Sequence, residues 1–231
     1  MSATPIPAAS LPGQLSPRQR WFSLAELALG SFLVIGHNVY HVVPNEVPFL
    51  FVLFWISLRL RDGGWKIAGL RRPDSWKWTV VWALGVAVLR ILVGELVVGP
   101  LTARVFPPQQ TASVITRVSG DWQQALLGLL LIWTFAAFGE ELGYRGYLLT
   151  RAADVGGRTR LAYWAGMVLV SVLFGYGHYY KGPAGIIDSG MAGLILGSAY
   201  LLSRRNLWVT ILAHGFIDTV AVVAFFMGWA N

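Results

Sequence analysis

The chain has 231 residues, of which 55% are apolar and only 13% charged, against about a quarter charged in an ordinary soluble domain. With a mean hydropathy of +0.58 and apolar runs near the ~20 residues a helix needs to cross a bilayer, it is not a typical soluble enzyme but a polytopic membrane bundle. The absence of cysteine excludes disulfides, thiolate nucleophiles, cysteine-ligated zinc and iron-sulfur clusters, so any metal would rely on His, Asp or Glu. The net charge of +7 reads as a solvated juxtamembrane face. No nucleic-acid partner is expected, because no basic stripe interleaves with aromatics.

Residues 1–20, rich in Pro, Ala and Ser at the start, read as a disordered cytoplasmic tail. Residues 21–231 read as one transmembrane helical domain with its motif-bearing core at 122–231. Apolar segments fall near 22–40, 45–60, 78–100, 122–139, 161–180, 183–203 and 207–229. They are continuously apolar where barrel strands would alternate. The predicted fold is therefore all-α, a bundle of about seven transmembrane helices.

Lys and Arg accumulate in cytoplasmic loops, which tests the segment count independently. The tail and alternate loops carry 14 of the 18, among them Arg18, Arg20, Arg59, Arg61, Arg151, Arg158, Arg204 and Arg205. The expected topology is a cytoplasmic N-terminus and an extracytoplasmic C-terminus. The stretch 64–75, basic and broken by Pro73, reads as an interfacial segment. Gly193 and Gly197 in the sixth segment form a GxxxG pair that permits close helix approach.

Ionisable groups within apolar segments are costly and point to function where each has a partner. Glu140, Glu141 and Arg145 lie at the cytoplasmic end of the fourth segment; on a helix Glu141 and Arg145 are four apart and can pair, while Glu140 is rotated by ~100° and can face elsewhere. One carboxylate looks structural and the other free for general-base work. Phe174 and His178 share a face late in the fifth segment. His214 and Asp218 repeat the spacing in the seventh, where the carboxylate could orient the imidazole or both could ligate a metal.

The order EExxxR, FxxxH, HxxxD on three late helices resembles the CPBP family of intramembrane proteases, which includes Ras-converting CAAX endopeptidases and bacteriocin-processing or immunity-associated proteins. The resemblance spans Glu140 to Asp218. It implies an endopeptidase in which Glu140 and His178 activate water, Glu141 and Arg145 support the site, and His214 with residue 218 stabilises the oxyanion. Many members carry Asn at the last position, whereas ionised Asp218 has no proton to donate. The family has been regarded both as metallopeptidases and as glutamic peptidases. Metal-free catalysis is favoured here because HExxH is absent; zinc, if used, would sit on Glu140, His178 and His214. The expected partners are the lipid bilayer and a membrane-associated or lipidated peptide or protein.

Counting ~1.5 Å per residue from Arg151 and from Arg160 puts Glu140 roughly 15 Å deep but His178 roughly 27 Å deep, so the fifth helix is expected to start with a turn or two in the interface. His37, His41 and Glu46 read as a polar helix end. Arg90 is expected to pair with Glu95 or Asp188. A rhomboid-like Ser189–His214 dyad would leave EExxxR unexplained. The non-enzyme alternative is a catalytically silent scaffold or bacteriocin-immunity protein.

Overall fold

The computed structural model describes residues 15–62, 64–106 and 119–229. Most of the expected tail, residues 1–14, and Arg117 lie outside the described residues. Seven helices account for the seven apolar segments, and the described residues contain no strand. They are α1 (Pro17–Asn38), α2 (Glu46–Ser57, widening to π geometry over Leu58–Asp62), α3 (Trp76–Ala103), α4 (Trp122–Val155), α5 (Arg160–Tyr176), α6 (Gly182–Leu202) and α7 (Leu207–Phe226). By length and composition α3, α4, α7 and the run Tyr179–Leu202 that contains α6 can cross a membrane; α5 is shorter and apolar.

The starts are written locally. Ser16 and Gln19 close a capping box on α1, with Pro17 at its first position, so helix takes in residues 17–20 of the expected tail. Asn45, Asp121, Thr159 and Asn206 cap α2, α4, α5 and α7 through their side-chain oxygens, each satisfying a backbone donor the first turn leaves open.

Packing is led by small residues where helices touch closely. A Cβ at Gly175 would come within 2.7 Å of the Ile186 carbonyl, and one at Gly193 within 3.0 Å of Ser171. The GxxxG pair is thus part of a glycine seam between α5 and α6. The interfacial segment docks through Gly69, whose positive φ and proximity to the Arg205 carbonyl leave no room for a side chain; Tyr200 donates to Ala68 O beside it. Trp21, Trp78, Trp122 and Trp229 are exposed at helix ends, as an interfacial belt requires, while Trp208 packs on Trp76 and Phe138.

The solvated reading of the basic loops needs correction at Arg151. This residue is fully buried and paired with Glu26, Asp62 and Asp154, at 2.6 Å for Glu26 and 2.9 Å for Asp154. Its guanidinium also donates to Ser57 at 2.6 Å. Arg61 joins through Glu26 and Arg158 through Asp154, so α1, α2 and the end of α4 are tied by one network of hydrogen-bonded charges. Arg90 chooses Asp188, at 2.6 Å, linking α3 to α6.

Candidate active site

Two wide-turned stretches of α4, Ile132–Glu140 and Leu142–Leu148, flank Glu141. Such π windings recur at functional sites because they re-aim side chains within a helix. Glu141 and Arg145 nevertheless pair as the four-residue spacing implies: Arg145 Nη1 donates to Glu141 Oε1 at 2.8 Å. Both are buried. Arg145 reaches across the seam to the Gly193 carbonyl at 3.3 Å and lies 4.5 Å from the centroid of the Phe174 ring.

His214 of α7 meets the same carboxylate, its Nδ1 2.9 Å from Glu141 Oε1. A carboxylate oxygen in this pairing accepts, so Nδ1 carries the proton. Nε2 then points to Asp218, 3.5 Å away; it donates in that direction when the ring holds both protons. The chain Arg145–Glu141–His214–Asp218 is therefore continuous from α4 into α7. Ser189 makes no hydrogen bond to His214 in it, which leaves the serine dyad without support.

His178 lies one residue beyond the C-cap of α5 and not on the helix itself, in the turn that leads into a 3-10 segment at Tyr179–Lys181. Its contact with Phe174 survives the change of backbone. The imidazole Nδ1 donates to the Phe174 carbonyl at 3.0 Å, and the two rings are 4.9 Å apart. Because a carbonyl only accepts, this bond assigns the proton to Nδ1 and leaves the Nε2 lone pair free. Phe174 also faces Tyr144 edge-on at 5.0 Å and His214 at 6.1 Å. One aromatic ring thus spaces the groups contributed by three helices.

Glu140 behaves differently from its neighbour. It forms no hydrogen bond or ion pair among the described residues, and its Oε2 is buried without a partner. It lies within Coulombic reach of His214, Asp218, Glu46 and Glu141. Packing of Gly166 on Ala152 and of Phe174 on Tyr144 sets the antiparallel register of α4 and α5.

The difference in helix position expected from the sequence is narrowed by the length of α4. Arg151 does not mark the water edge, being buried, and α4 runs on to Val155. Counted from Val155, Glu140 is about 22 Å along its helix, against about 27 Å for the position of His178 counted from Arg160.

Glu140, His178 and His214 are not arranged as a ligand set: among the described residues no three His, Asp or Glu side chains form a group able to hold a metal ion. His37, His41 and Glu46 do not form one either. His37 Nε2 is 3.5 Å from Glu46, which accepts from Asn38 at 3.0 Å, while His41 sits in a left-handed turn.

Sequence reasoning read Gly193 as a packing residue and not as the carbonyl that anchors Arg145, and it missed Trp133, which fills the space over Gly215 and donates to Thr219 at 3.2 Å. The small-residue pattern around 190–197 was the available signal for the first; nothing in the spacing of Trp133 pointed to the second.

Residues 122–220 match the family model of Rce1-like type II CAAX prenyl endopeptidases, in agreement with the resemblance carried by the three motifs. The matched stretch contains α4 through most of α7 and every residue of the cluster just described. The comparisons with curated proteins and with solved structures return no match. The family match supports an intramembrane endopeptidase as the general class of activity and a membrane-associated protein as the kind of substrate.

Proposed function

We propose that this chain is a glutamic intramembrane endopeptidase in which Glu140 is the general base and His178 orients the attacking water. The observation that carries the reading is the division of labour between adjacent carboxylates: Glu141 is engaged by Arg145 and His214, whereas Glu140 has no partner. A carboxylate that must take a proton needs such unengaged oxygens.

In this reading water gives a proton to Glu140 while its remaining hydrogen is shared with the free Nε2 of His178, and its oxygen adds to the peptide carbonyl carbon. Negative charge forms on the carbonyl oxygen, where protonated His214 donates from Nε2. Preorganised donors of this kind stabilise a developing oxyanion more than a ground-state carbonyl. Collapse breaks the C–N bond, Glu140 returns the proton to the leaving amine, and a carboxylate and an amine are released. Asp218 faces Nε2 and holds the ring, in place of the Asn that would donate directly. No step in this reading is routed through a metal.

A lipidated or hydrophobic tail reaching the site sideways between helices suits the buried cluster, with the N-terminus on the cytoplasmic side and the C-terminus opposite. The test compares membrane-protein termini by mass spectrometry in source cells carrying the wild-type chain or Glu140→Gln. A terminus lost with the variant and restored by wild type is the expected result. Unchanged termini at normal protein level would favour the scaffold or immunity reading.

A further inference from the structure

A cavity of about 700 Å³ opens between the start of α1 and the end of α2, at the edge of the bundle where Arg18, Arg61 and Arg158 converge. Its wall toward α4 is Tyr147, a fully buried residue whose hydroxyl has no hydrogen-bond partner. None of this belongs to the peptidase cluster, which lies higher on α4.

The charges do not cancel. Glu26, Asp62 and Asp154 are shared among Arg61, Arg151 and Arg158. Arg18 has no acidic partner among the described residues and lies against the ring of Phe22, 5.5 Å from its centroid. The pocket therefore presents one uncompensated guanidinium, with Arg158 only partly covered beside it. Apart from Gln19 and Ser57, the remaining walls are apolar. Phe22, Ile56 and Leu60 continue from the pocket onto the exposed faces of α1 and the end of α2, where a hydrocarbon chain would lie against them.

We infer that this pocket binds an anionic phospholipid, its phosphate on Arg18 and Arg158 and an acyl chain along Phe22, Ile56 and Leu60. A soluble phosphate would use the cations but not the apolar track; a neutral lipid would use the track but gain little from the surplus charge. Basic pockets between helices at the membrane edge are suited to such headgroups, and each nearby Arg adds about a fivefold factor in affinity.

The test uses the full chain in neutral detergent, followed by native mass spectrometry with phosphatidylglycerol, phosphatidylcholine or glycerol 3-phosphate added. Phosphatidylglycerol is expected to remain bound at one equivalent, with the other two retained far more weakly. Arg18→Gln should weaken it about fivefold without shifting thermal unfolding, because Arg18 is exposed and unpaired. Arg72→Gln, in an exposed basic loop outside the pocket, should change nothing.

Equal retention of phosphatidylcholine, equal binding of glycerol 3-phosphate, or an Arg18→Gln variant that binds as wild type would each overturn the assignment. So would lipid binding that appears only after residues 1–14 are removed, which would give the pocket to that segment. The readout does not involve proteolysis, so it stands or falls apart from the peptidase reading.

Discussion

His214 Nδ1 and Arg145 Nη1 converge on a single oxygen of Glu141, at 2.9 and 2.8 Å. That atom ties the buried cation of α4 to the imidazole of α7. Glu141→Gln removes the charge that both donors share and leaves Arg145 buried without its counterion, which costs about 3–5 kcal/mol. Thermal unfolding in detergent should show this loss, and activity should fall even in the folded fraction because His214 is no longer held.

Glu140→Gln should do the reverse. With no hydrogen bond or ion pair to lose, the variant is expected to unfold within a few degrees of wild type while peptide cleavage drops by about 10²–10⁴-fold, the usual weight of a general base. Peptidase assays on folded, detergent-purified protein separate the two variants. A Glu140→Gln protein with full activity would remove the proposed base.

Asp218→Asn should retain activity. The amide can still accept from His214 and also offers a donor toward the oxyanion, so kcat/KM is expected to stay level or rise up to about tenfold. His214→Ala, lacking the ring, should lose about 10²–10³-fold. Measuring both variants distinguishes an Asp that only orients from one that takes part in proton transfer.

Gly177→Ala probes the turn that presents His178. Its Cβ would stand 2.7 Å from the Tyr144 hydroxyl, and Tyr144 is buried, so the turn must shift and move the imidazole. Misplacement by about 1 Å costs on the order of 100-fold in rate. Combining it with Tyr144→Phe removes the clashing oxygen and should recover a large part of kcat, a non-additive result that a merely structural glycine would not give.

Arg151→Met should be far more destabilising than a change at an exposed loop arginine, since Glu26, Asp62 and Asp154 lose a common partner inside the bundle. A loss of about 3–5 kcal/mol is expected, read as thermal unfolding, whereas Arg72→Gln in an exposed loop should fall within about 0.5 kcal/mol of wild type.

Helix number, helix order and the Glu141–Arg145 pair were legible because hydropathy, loop charge and four-residue spacing are local properties. The caps at Asn45, Asp121 and Asn206 are local as well. The burial of Arg151 was not legible: two of its three counterions, Glu26 and Asp62, come from α1 and the end of α2, more than 80 residues away in sequence, and charge in a loop-like stretch gives no sign of what folds over it. The place of His178 in a turn was hidden for a different reason. The Phe174–His178 contact is the same whether position 178 is helical or just past the helix, so the motif spacing could not distinguish them.

The wide turns on either side of Glu141 impose a condition on any change in chain length. A helix side chain is aimed by its count from both ends, and one residue is worth about 100° of rotation. Removing a single residue between Trp133 and Glu140 would let the backbone relax toward ordinary α geometry, but it would swing Trp133 away from Gly215 or the two carboxylates away from His214. The stretch therefore tolerates replacement far better than deletion: its length is what keeps two faces of one helix in phase.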